Sequence, residues 1–159
     1  MQVQDAIWAD LGCGDGLFTN ALAQIIGKGN TIYAVDSNNR VLERIPAIPN
    51  VHLKKIVADF ENDELIFPAF DGILMANSLH FVEDKVSFIE KAKSWLKSTG
   101  YFLIVEYNTD IPNRWVPYPI SFESAVKLFS GLGFNVEKIS EQDSLYNRAG
   151  MYGAKISII

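Results

Sequence analysis

The chain has 159 residues, 48% of them hydrophobic and 21% charged, which is the length and composition of one globular domain. Its formal net charge of −5 disfavours a nucleic-acid substrate, because proteins that bind phosphate backbones normally present a basic surface. No apolar run approaches the roughly 20 residues of a membrane span, no signal peptide opens the chain, and the single cysteine excludes an intrachain disulfide and a cysteine-based zinc site. We therefore expect one domain over residues 1–159, located in the cytoplasm.

The first predicted element is a strand that ends in a glycine-rich turn. Residues 6–11 form a short apolar run, which suits a strand buried on both faces. Gly12, Gly14 and Gly16 follow at a spacing of two. Glycine tolerates positive φ and lets a ligand lie against bare backbone, so this turn is a candidate ligand-binding loop.

A helix and a second strand follow the turn. Apolar residues recur at intervals of three and four over residues 17–26, which predicts a helix, and Asp15 is placed to cap its start. Residues 31–35 form the second apolar strand, and Asp36 stands at its carboxyl end. The order of strand, glycine turn, helix, strand and acid is typical of a nucleotide-binding unit.

Two details indicate which nucleotide would bind. The dinucleotide motif is G-x-G-x-x-G, but here the spacing is G-x-G-x-G, and Leu17 occupies the place of the third glycine. Asp10 lies two residues before the first glycine, where a carboxylate would repel a pyrophosphate and attract a cation. We therefore expect a ligand with a positive charge near the glycines and a ribose near Asp36.

The run Asp10-Leu-Gly-Cys-Gly-Asp-Gly16, together with Asp36, resembles the first two motifs of class I S-adenosylmethionine-dependent methyltransferases. The resemblance implies that the cofactor is S-adenosylmethionine. We expect Cys13, within the loop, to be a small residue that fills a tight turn and not a nucleophile, since no histidine is near it in sequence. The alternative from another class is a Rossmann domain of an NAD-linked oxidoreductase.

The third strand is predicted over residues 51–57, after a short helix over residues 37–45 that Ser37 or Asn38 can cap. Asp59 and Phe60 follow this strand. The resemblance implies that Asp59 bonds the adenine amine and that Phe60 lines the adenine pocket. The alternative for Asp59 is a helix cap or a turn residue.

The remaining elements complete an α/β pattern. Residues 70–76 predict a fourth, buried strand, Glu83 or Asp84 starts a helix that extends through Leu96, and Gly100 would close that helix as a C′ glycine. Residues 101–107 predict the fifth strand, and a stiff loop with three prolines covers residues 109–120. Ser121 opens the last helix, and residues 134–139 and 151–159 are two closing strands joined by the polar residues 140–148.

The resemblance implies the complete fold. We expect a Rossmann-like, doubly wound α/β domain with a mostly parallel seven-stranded sheet in the order 3-2-1-4-5-7-6, strand 7 antiparallel, and helices on both faces. The strand order reverses beside strand 1, where ligands bind outside the carboxyl ends of the strands. The family usually carries helices before the first strand, and here only a few residues precede it. The site is then unusually open, or a second subunit such as that of a homodimer covers it, or the chain is part of a longer one.

Methyl transfer is an in-line displacement at an activated methyl group, so the protein mainly supplies position and orientation. The acceptor would approach from the exits of strands 4 and 5, which carry Asn77, Ser78, His80, Glu106 and Tyr107. Trp115 and Tyr118 follow in the proline-rich loop, where we expect them to pack the loop, and Arg114 beside them is either a partner for an acidic acceptor or a solvated side chain. His80 is the best candidate base because imidazole titrates near neutrality, and its alternative is a residue packed at the strand–helix junction. Glu106 would pin an acceptor amine or hydroxyl, or orient the amino end of the cofactor.

These arguments yield a specific set of candidate site residues and a substrate class. The predicted catalytic residues are His80, Glu106 and Tyr107, and the predicted cofactor-binding residues are Asp10, Gly12, Cys13, Gly14, Gly16, Asp36, Ser37, Asp59, Phe60 and Asn77, with no metal site. Asn77 is followed by Ser78 and Leu79, not by the Asn-Pro-Pro run of methylases that act on adenine or glutamine amines, so a small-molecule acceptor is favoured. A domain that binds the cofactor but is inactive without a partner or lid is a further alternative.

Overall fold

The architecture is a seven-stranded sheet with helices on both faces. The computed structural model describes residues 5–143 and 149–159. Its strands are β1 (Ile7–Leu11), β2 (Thr31–Asp36), β3 (His52–Val57), β4 (Phe70–Ala76), β5 (Leu96–Tyr107), β6 (Phe134–Gln142) and β7 (Met151–Ile158). Its helices are α1 (Leu17–Ile26), α2 (Asn39–Glu43), α3 (Lys85–Lys93) and α4 (Phe122–Gly131), with a 3₁₀ turn at Leu79–Phe81. None of these described helices is long and apolar enough to cross a membrane.

The sheet order is β3-β2-β1-β4-β5-β7-β6, as predicted. The first five strands pair in parallel, whereas β7 lies antiparallel to both of its neighbours, β5 and β6. β1 lies between β2 and β4, so the order reverses there and opens a crevice at the carboxyl ends of the strands. The predicted fold is therefore confirmed.

Each face of the sheet has its own hydrophobic core, since successive residues of a buried strand point to opposite sides. Ala9 and Leu11 of β1 belong to the larger core, which α3 and α4 cover with residues such as Phe88 and Phe129. Trp8, adjacent to Ala9 in the strand, belongs to a second core on the opposite face under α1. A continuous apolar run in β1 is thus explained by burial from two sides.

Helix α1 differs from its prediction at both its start and its buried face. Asp15 is exposed and makes no cap, and Gly16 precedes the helix with a φ of 89° and no side-chain cap bond. Leu17 and Ile25 are 74% and 80% exposed, whereas Thr19 and Leu22 are buried. The helix is rotated relative to the predicted apolar face because Thr19 turns inward to a buried carboxylate, described below.

The predicted end of helix α3 is also wrong. The helix ends at Lys93, and Gly100 lies inside strand β5 instead of closing the helix. The β4–β5 register jumps from Phe70 opposite Leu96 to Gly72 opposite Tyr101, so β5 bulges at this point. A Cβ at Gly100 would lie 2.8 Å from the Phe70 carbonyl oxygen, and this close approach explains the glycine. β6 likewise extends to Gln142, into the segment predicted to be a polar connection, whose residues 144–148 lie outside the described part of the chain.

Side-chain hydrogen bonds cap the starts of the other three described helices. Asn38 accepts a hydrogen bond from the Arg40 backbone amide at the start of α2, and Asp84 accepts one from the Ser87 amide at the start of α3. Ser121 caps α4 as predicted. These caps fix the positions at which the strand exits turn into helices, and the candidate site is built from those exits.

Candidate functional site

Asp10 lies beneath the glycine loop and not on its surface. Its side chain is 1% exposed, and the Thr19 hydroxyl of α1 donates a hydrogen bond of 2.6 Å to Asp10 Oδ2. Burial raises the pKa of Asp10 to about 7; the Thr19 hydrogen bond opposes this rise, and the nearby Asp36 carboxylate adds to it. Near neutral pH the carboxyl group is therefore poised between its two states, and a cation placed nearby would favour the ionised one.

The glycine loop is folded against the end of β2. The backbone amides of Gly12 and Cys13 donate to the Val35 carbonyl oxygen at 2.8 and 3.0 Å, and the Gly14 amide donates to Asp36 Oδ2 at 3.0 Å. This bonding turns the loop tightly and connects its conformation directly to the Asp36 carboxylate.

Each position of the loop has its own physical reason for carrying a glycine. A Cβ at Gly12 would lie 2.5 Å from Ser78 Cβ, so this glycine allows β1 and the end of β4 to pack together. Gly14 has a φ of 55° and nothing within 4 Å of a Cβ built on it. Of the two, Gly14 is the one whose bare backbone faces open space. Gly16 packs against Ile45, which follows α2.

Cys13 is buried against α2 with Ala34 and Leu42. Burial raises the pKa of its thiol to about 12, and the negative charges of Asp10 and Asp36 contribute to the rise. The thiol is therefore protonated at neutral pH, which supports the prediction that Cys13 fills a tight turn.

A cavity of about 370 Å³ lies at the carboxyl ends of β1 to β4. Such a volume is within the ~300–1,000 Å³ range of small-molecule sites. Its lining combines predicted and unpredicted residues: Gly12, Asp36, Ser37, Ala58, Asp59, Phe60, Glu61, Ser78 and Phe81. The structure therefore brings the glycine loop, Asp36, Ser37, Asp59 and Phe60 around one cavity.

Asp36 retains capacity for a ligand in this cavity. Its Oδ2 accepts from the Gly14 amide and its Oδ1 from the Asn38 amide at 2.9 Å. A carboxylate has about four lone-pair positions, so each oxygen can accept a further hydrogen bond from a ribose hydroxyl.

Asp59 organises a turn at the exit of β3. Its oxygens accept from the Glu61 and Asn62 backbone amides at 3.0 and 3.2 Å and from Asn62 Nδ2 at 2.8 Å. The Asn62 side chain is the main cause of a lowered pKa of Asp59, and the two backbone amides add to it. Phe60 packs against Phe88 at a ring-centroid distance of 5.5 Å and forms one wall of the cavity. The turn role considered for Asp59 is thus observed, while the same residue also lines the cavity.

Asn77, directly after β4, is held in an unusual conformation. Its φ is 56°, and its backbone amide donates to the Val105 carbonyl oxygen at 2.8 Å. Within residues 5–143 and 149–159, its Oδ1 is a buried atom with no hydrogen-bond partner. A buried amide oxygen without a partner is costly, so a donor such as an ammonium group would stabilise this position.

His80 and Glu106 form a buried pair between the 3₁₀ turn and the end of β5. Glu106 Oε2 lies 2.8 Å from His80 Nδ1, and Glu106 Oε1 accepts the His80 backbone amide at 3.2 Å. The two residues are 3% and 0% exposed. Because a carboxylate faces Nδ1, that nitrogen carries the proton of the neutral ring and Nε2 carries the lone pair, a tautomer inferred from the hydrogen bonding.

Tyr107 joins this pair to a second, larger cavity. Its ring lies 6.2 Å from the His80 ring, centroid to centroid, and it lines a cavity of about 630 Å³. The other lining residues come mainly from the proline-rich loop: Thr109, Ile111, Pro112, Asn113, Trp115, Val116 and Ala149. The three predicted catalytic residues therefore stand together, next to a cavity that sequence reasoning did not anticipate.

The proline-rich loop is attached to the 3₁₀ turn by hydrogen bonds. The Tyr118 amide donates to the His80 carbonyl oxygen at 3.0 Å, and Lys85 Nζ donates to the carbonyl oxygens of Val82 and Tyr118 at 2.8 and 2.7 Å. The prediction that Trp115 packs the loop is not met, because its side chain is 75% exposed.

Several residues around the site were missed by sequence reasoning. Thr19, the partner of Asp10, was hidden because it lies in an apolar helix, although a polar residue on the inner face was the available signal. Phe81 and Glu61 line the smaller cavity, and nothing in their sequence context distinguishes them from other turn residues. Among the residues that the structure describes, no cluster of histidine, cysteine and acidic side chains could hold a metal ion.

Comparison with known proteins identifies the class of protein that this geometry serves. Residues 9–104, more than half of the chain, match a family model described as a methyltransferase domain. The chain therefore belongs to the class I, S-adenosylmethionine-dependent methyltransferase family, as the resemblance of its motifs implied.

The relatives and structural neighbours agree with this assignment. An uncharacterised methyltransferase of Mycobacterium tuberculosis is 30% identical over 101 residues, covering 63% of this chain, and the chain spans about half the length of that relative, with 50% of it covered. A methyltransferase structure from Listeria monocytogenes superposes with a TM-score of 0.74 at 17% identity, covering 100% of this chain and 93% of that one. The plantazolicin methyltransferase BpumL, solved with S-adenosylhomocysteine (SAH), superposes with a TM-score of 0.73 at 12% identity, covering 97% and 76%.

Proposed function

We propose that this chain catalyses the transfer of a methyl group from S-adenosylmethionine to a small-molecule acceptor. The observation that carries the proposal is the cavity at the switch point of the sheet, where Asp36, the glycine loop and Phe60 meet. The family match favours this function over the NAD-linked oxidoreductase considered from the sequence. We further propose that the 159 residues act as one domain.

The residues present fit the cofactor. Asn77 Oδ1 is a buried acceptor without a partner in the described residues, and it would suit the amino group of the cofactor's amino-acid end. Gly14 has open space where a Cβ would stand, and Gly12 of the same loop lines the cavity. The free lone pairs of Asp36 suit the ribose hydroxyls, and the Phe60 ring offers a face for the adenine. Gly12, Cys13, Gly16, Ser37 and Asp59 would shape the same pocket.

Asp10 would contribute through its charge and not through direct contact. It is buried behind the loop and does not line the cavity, but its pKa of about 7 lets a bound ammonium group favour the ionised carboxylate. We therefore keep the inference from the sequence that the site prefers a positively charged ligand, with Asp10 acting from behind the loop and not from the cavity wall.

S-adenosylmethionine supplies an electrophilic methyl group on a positively charged sulfur, which an acceptor lone pair displaces while the sulfur keeps the electrons of the broken bond. The protein has to align the acceptor, and we propose that His80, Glu106 and Tyr107 do so at the exits of β4 and β5. Glu106 holds Nδ1 of His80, so the lone pair on Nε2 is available to receive an acceptor proton. The catalytic contribution of orientation alone can reach about 7–11 kcal/mol in well-aligned reactions.

Calorimetry with SAH, S-adenosylmethionine and NADH tests the proposal on the purified chain. We expect binding of the first two and none of NADH. Absence of SAH binding up to about 1 mM, equivalent to roughly −4 kcal/mol, would reject the proposal. Binding without turnover over a panel of acceptors would favour the alternative of a domain that requires a partner or lid.

A further inference from the structure

The larger cavity next to Tyr107 is the most apolar recess of the described structure that adjoins the candidate site. It has a volume of about 630 Å³, and none of its eight described lining residues carries a charge. Arg114, a candidate partner for an acidic acceptor, is exposed and does not line this cavity. The described lining of the cavity therefore offers apolar contact and aromatic faces but no ionic partner.

Two large side chains on the rim of this cavity are exposed. Trp115 is 75% exposed and Ile111 is 77% exposed. Single exposed apolar residues are common, but these two border the same recess, and such a grouping marks binding sites.

The loop that carries Trp115 is held in place by hydrogen bonds to the side chain and backbone of Asn113. Asn113 Oδ1 accepts hydrogen bonds from the Trp115 and Val116 amides at 2.9 and 3.0 Å, and the Asn113 amide donates to the Val116 carbonyl oxygen at 3.1 Å. Val116 is buried by this turn, so Trp115 points outward beside an anchored neighbour. The backbone from which the indole projects is therefore preformed, which lowers the cost of ordering this loop around a planar ligand.

A row of rings connects the two cavities. Phe81 lines the smaller cavity, its ring lies 4.4 Å from the His80 ring, and the His80 ring lies 6.2 Å from the Tyr107 ring, which lines the larger cavity. The two recesses therefore flank the same three side chains.

We propose that the larger cavity binds the methyl acceptor, and that this acceptor is an uncharged, planar molecule with an aromatic or conjugated ring. The inference rests on the proposed function and names the substrate class for it. Aromatic faces favour stacked or edge-on planar rings, and a charged acceptor would lose its hydration without gaining an ionic partner in this lining.

Two-dimensional NMR of the indole N–H groups tests the proposal, with 2-naphthol as the uncharged planar probe and 2-naphthoate as its charged analogue. The chain has three tryptophans, and only Trp115 is exposed, since Trp8 and Trp95 are 5% and 7% exposed. We expect 2-naphthol to shift the Trp115 signal while the other two stay in place. The Trp115→Phe variant assigns the signal by its loss.

Variants give the matched comparison for affinity. Trp115→Ala and Ile111→Ala should each weaken 2-naphthol binding about tenfold, as expected for losing one large apolar contact. Ile66→Ala is the control because Ile66 is also fully exposed and borders neither of the two cavities. It should leave the affinity unchanged.

The outcomes separate this inference from the proposed function. Binding of SAH together with no response of Trp115 to 2-naphthol, or with equal binding of 2-naphthoate, would overturn the inference and leave the proposed function standing. Loss of SAH binding by the unmodified chain would overturn the proposed function itself. A Trp115 shift that is larger for 2-naphthol than for 2-naphthoate, together with a lower 2-naphthol affinity of Trp115→Ala in calorimetry, would support the inference.

Discussion

Replacing Asp10 by asparagine should make the protein more stable at neutral pH. The carboxyl group is 1% exposed, and its only described hydrogen-bond donor is the Thr19 hydroxyl. Burial raises its pKa from 3.8 to about 7, which means that the folded state favours the neutral acid. Asparagine is neutral at every pH and retains an oxygen that can accept the Thr19 hydrogen bond.

The sign and size of the effect follow from linkage. Above pH 3.8 the unfolded carboxyl group loses its proton, whereas the folded one keeps it until about pH 7, so unfolding becomes easier as the pH rises across this window. Each pH unit lowers the free energy of unfolding by about 1.4 kcal/mol, and the total reaches about 4 kcal/mol by pH 8. The Asp10→Asn variant lacks this loss.

Urea denaturation of both proteins between pH 4 and pH 8 measures the difference. We expect similar stability at pH 4 and a growing advantage of Asp10→Asn towards pH 8, with equal m-values. Asp59→Asn is the control, because the pKa of Asp59 is lowered from 3.8 and its contribution is lost only on acidification below that value, so its difference from the parent should stay constant from about pH 5 to pH 8. Parallel stability curves for Asp10→Asn and the parent would refute the reasoning. Weaker SAH binding by the more stable variant would indicate that the buried carboxylate serves the ligand.

Three further predictions concern the loop and the buried pair. Asp36→Ala should weaken SAH binding by about 1–3 kcal/mol in calorimetry, and an unchanged dissociation constant would contradict its assignment to the ribose. Gly14→Val should abolish SAH binding, whereas Gly29→Val should preserve it, because both glycines have positive φ and open space but only Gly14 belongs to the ligand-binding loop. Glu106→Ala should lower the free energy of unfolding by about 1–3 kcal/mol in urea, since it leaves the buried Nδ1–H and backbone amide of His80 without their acceptor, and an unchanged free energy of unfolding would be inconsistent with that pair.

Local patterns were sufficient for most of the fold. Short apolar runs ended by glycines or acids predicted β1, β2 and β4, and the resemblance to the methyltransferase family implied the reversal of strand order beside β1. The boundary between α3 and β5 could not be predicted in this way. Gly100 has the appearance of a helix end, but its reason is the close approach of the Phe70 carbonyl oxygen across a bulge, a contact between strands.

The candidate site likewise contains residues that local sequence patterns predict and residues that they do not. The glycine loop and Asp36 carry a spacing that sequence reasoning can use. The pairs Asp10–Thr19 and His80–Glu106 depend on which helix faces and strand ends meet, and the second pair joins residues 26 positions apart. Trp115 is exposed because the chain turns at Asn113, and the prediction that Trp115 packs the loop did not include this turn.

The antiparallel strand β7 has a consequence for how the protein is made. β6 pairs only with β7 among the described strands, and β7 follows both of its neighbours in the chain. During synthesis β6 must therefore leave the ribosome with no strand to join, and β5 keeps an open edge until β7 arrives. The parallel half of the sheet can assemble while translation continues, but the whole sheet forms only after the last of its strands has emerged.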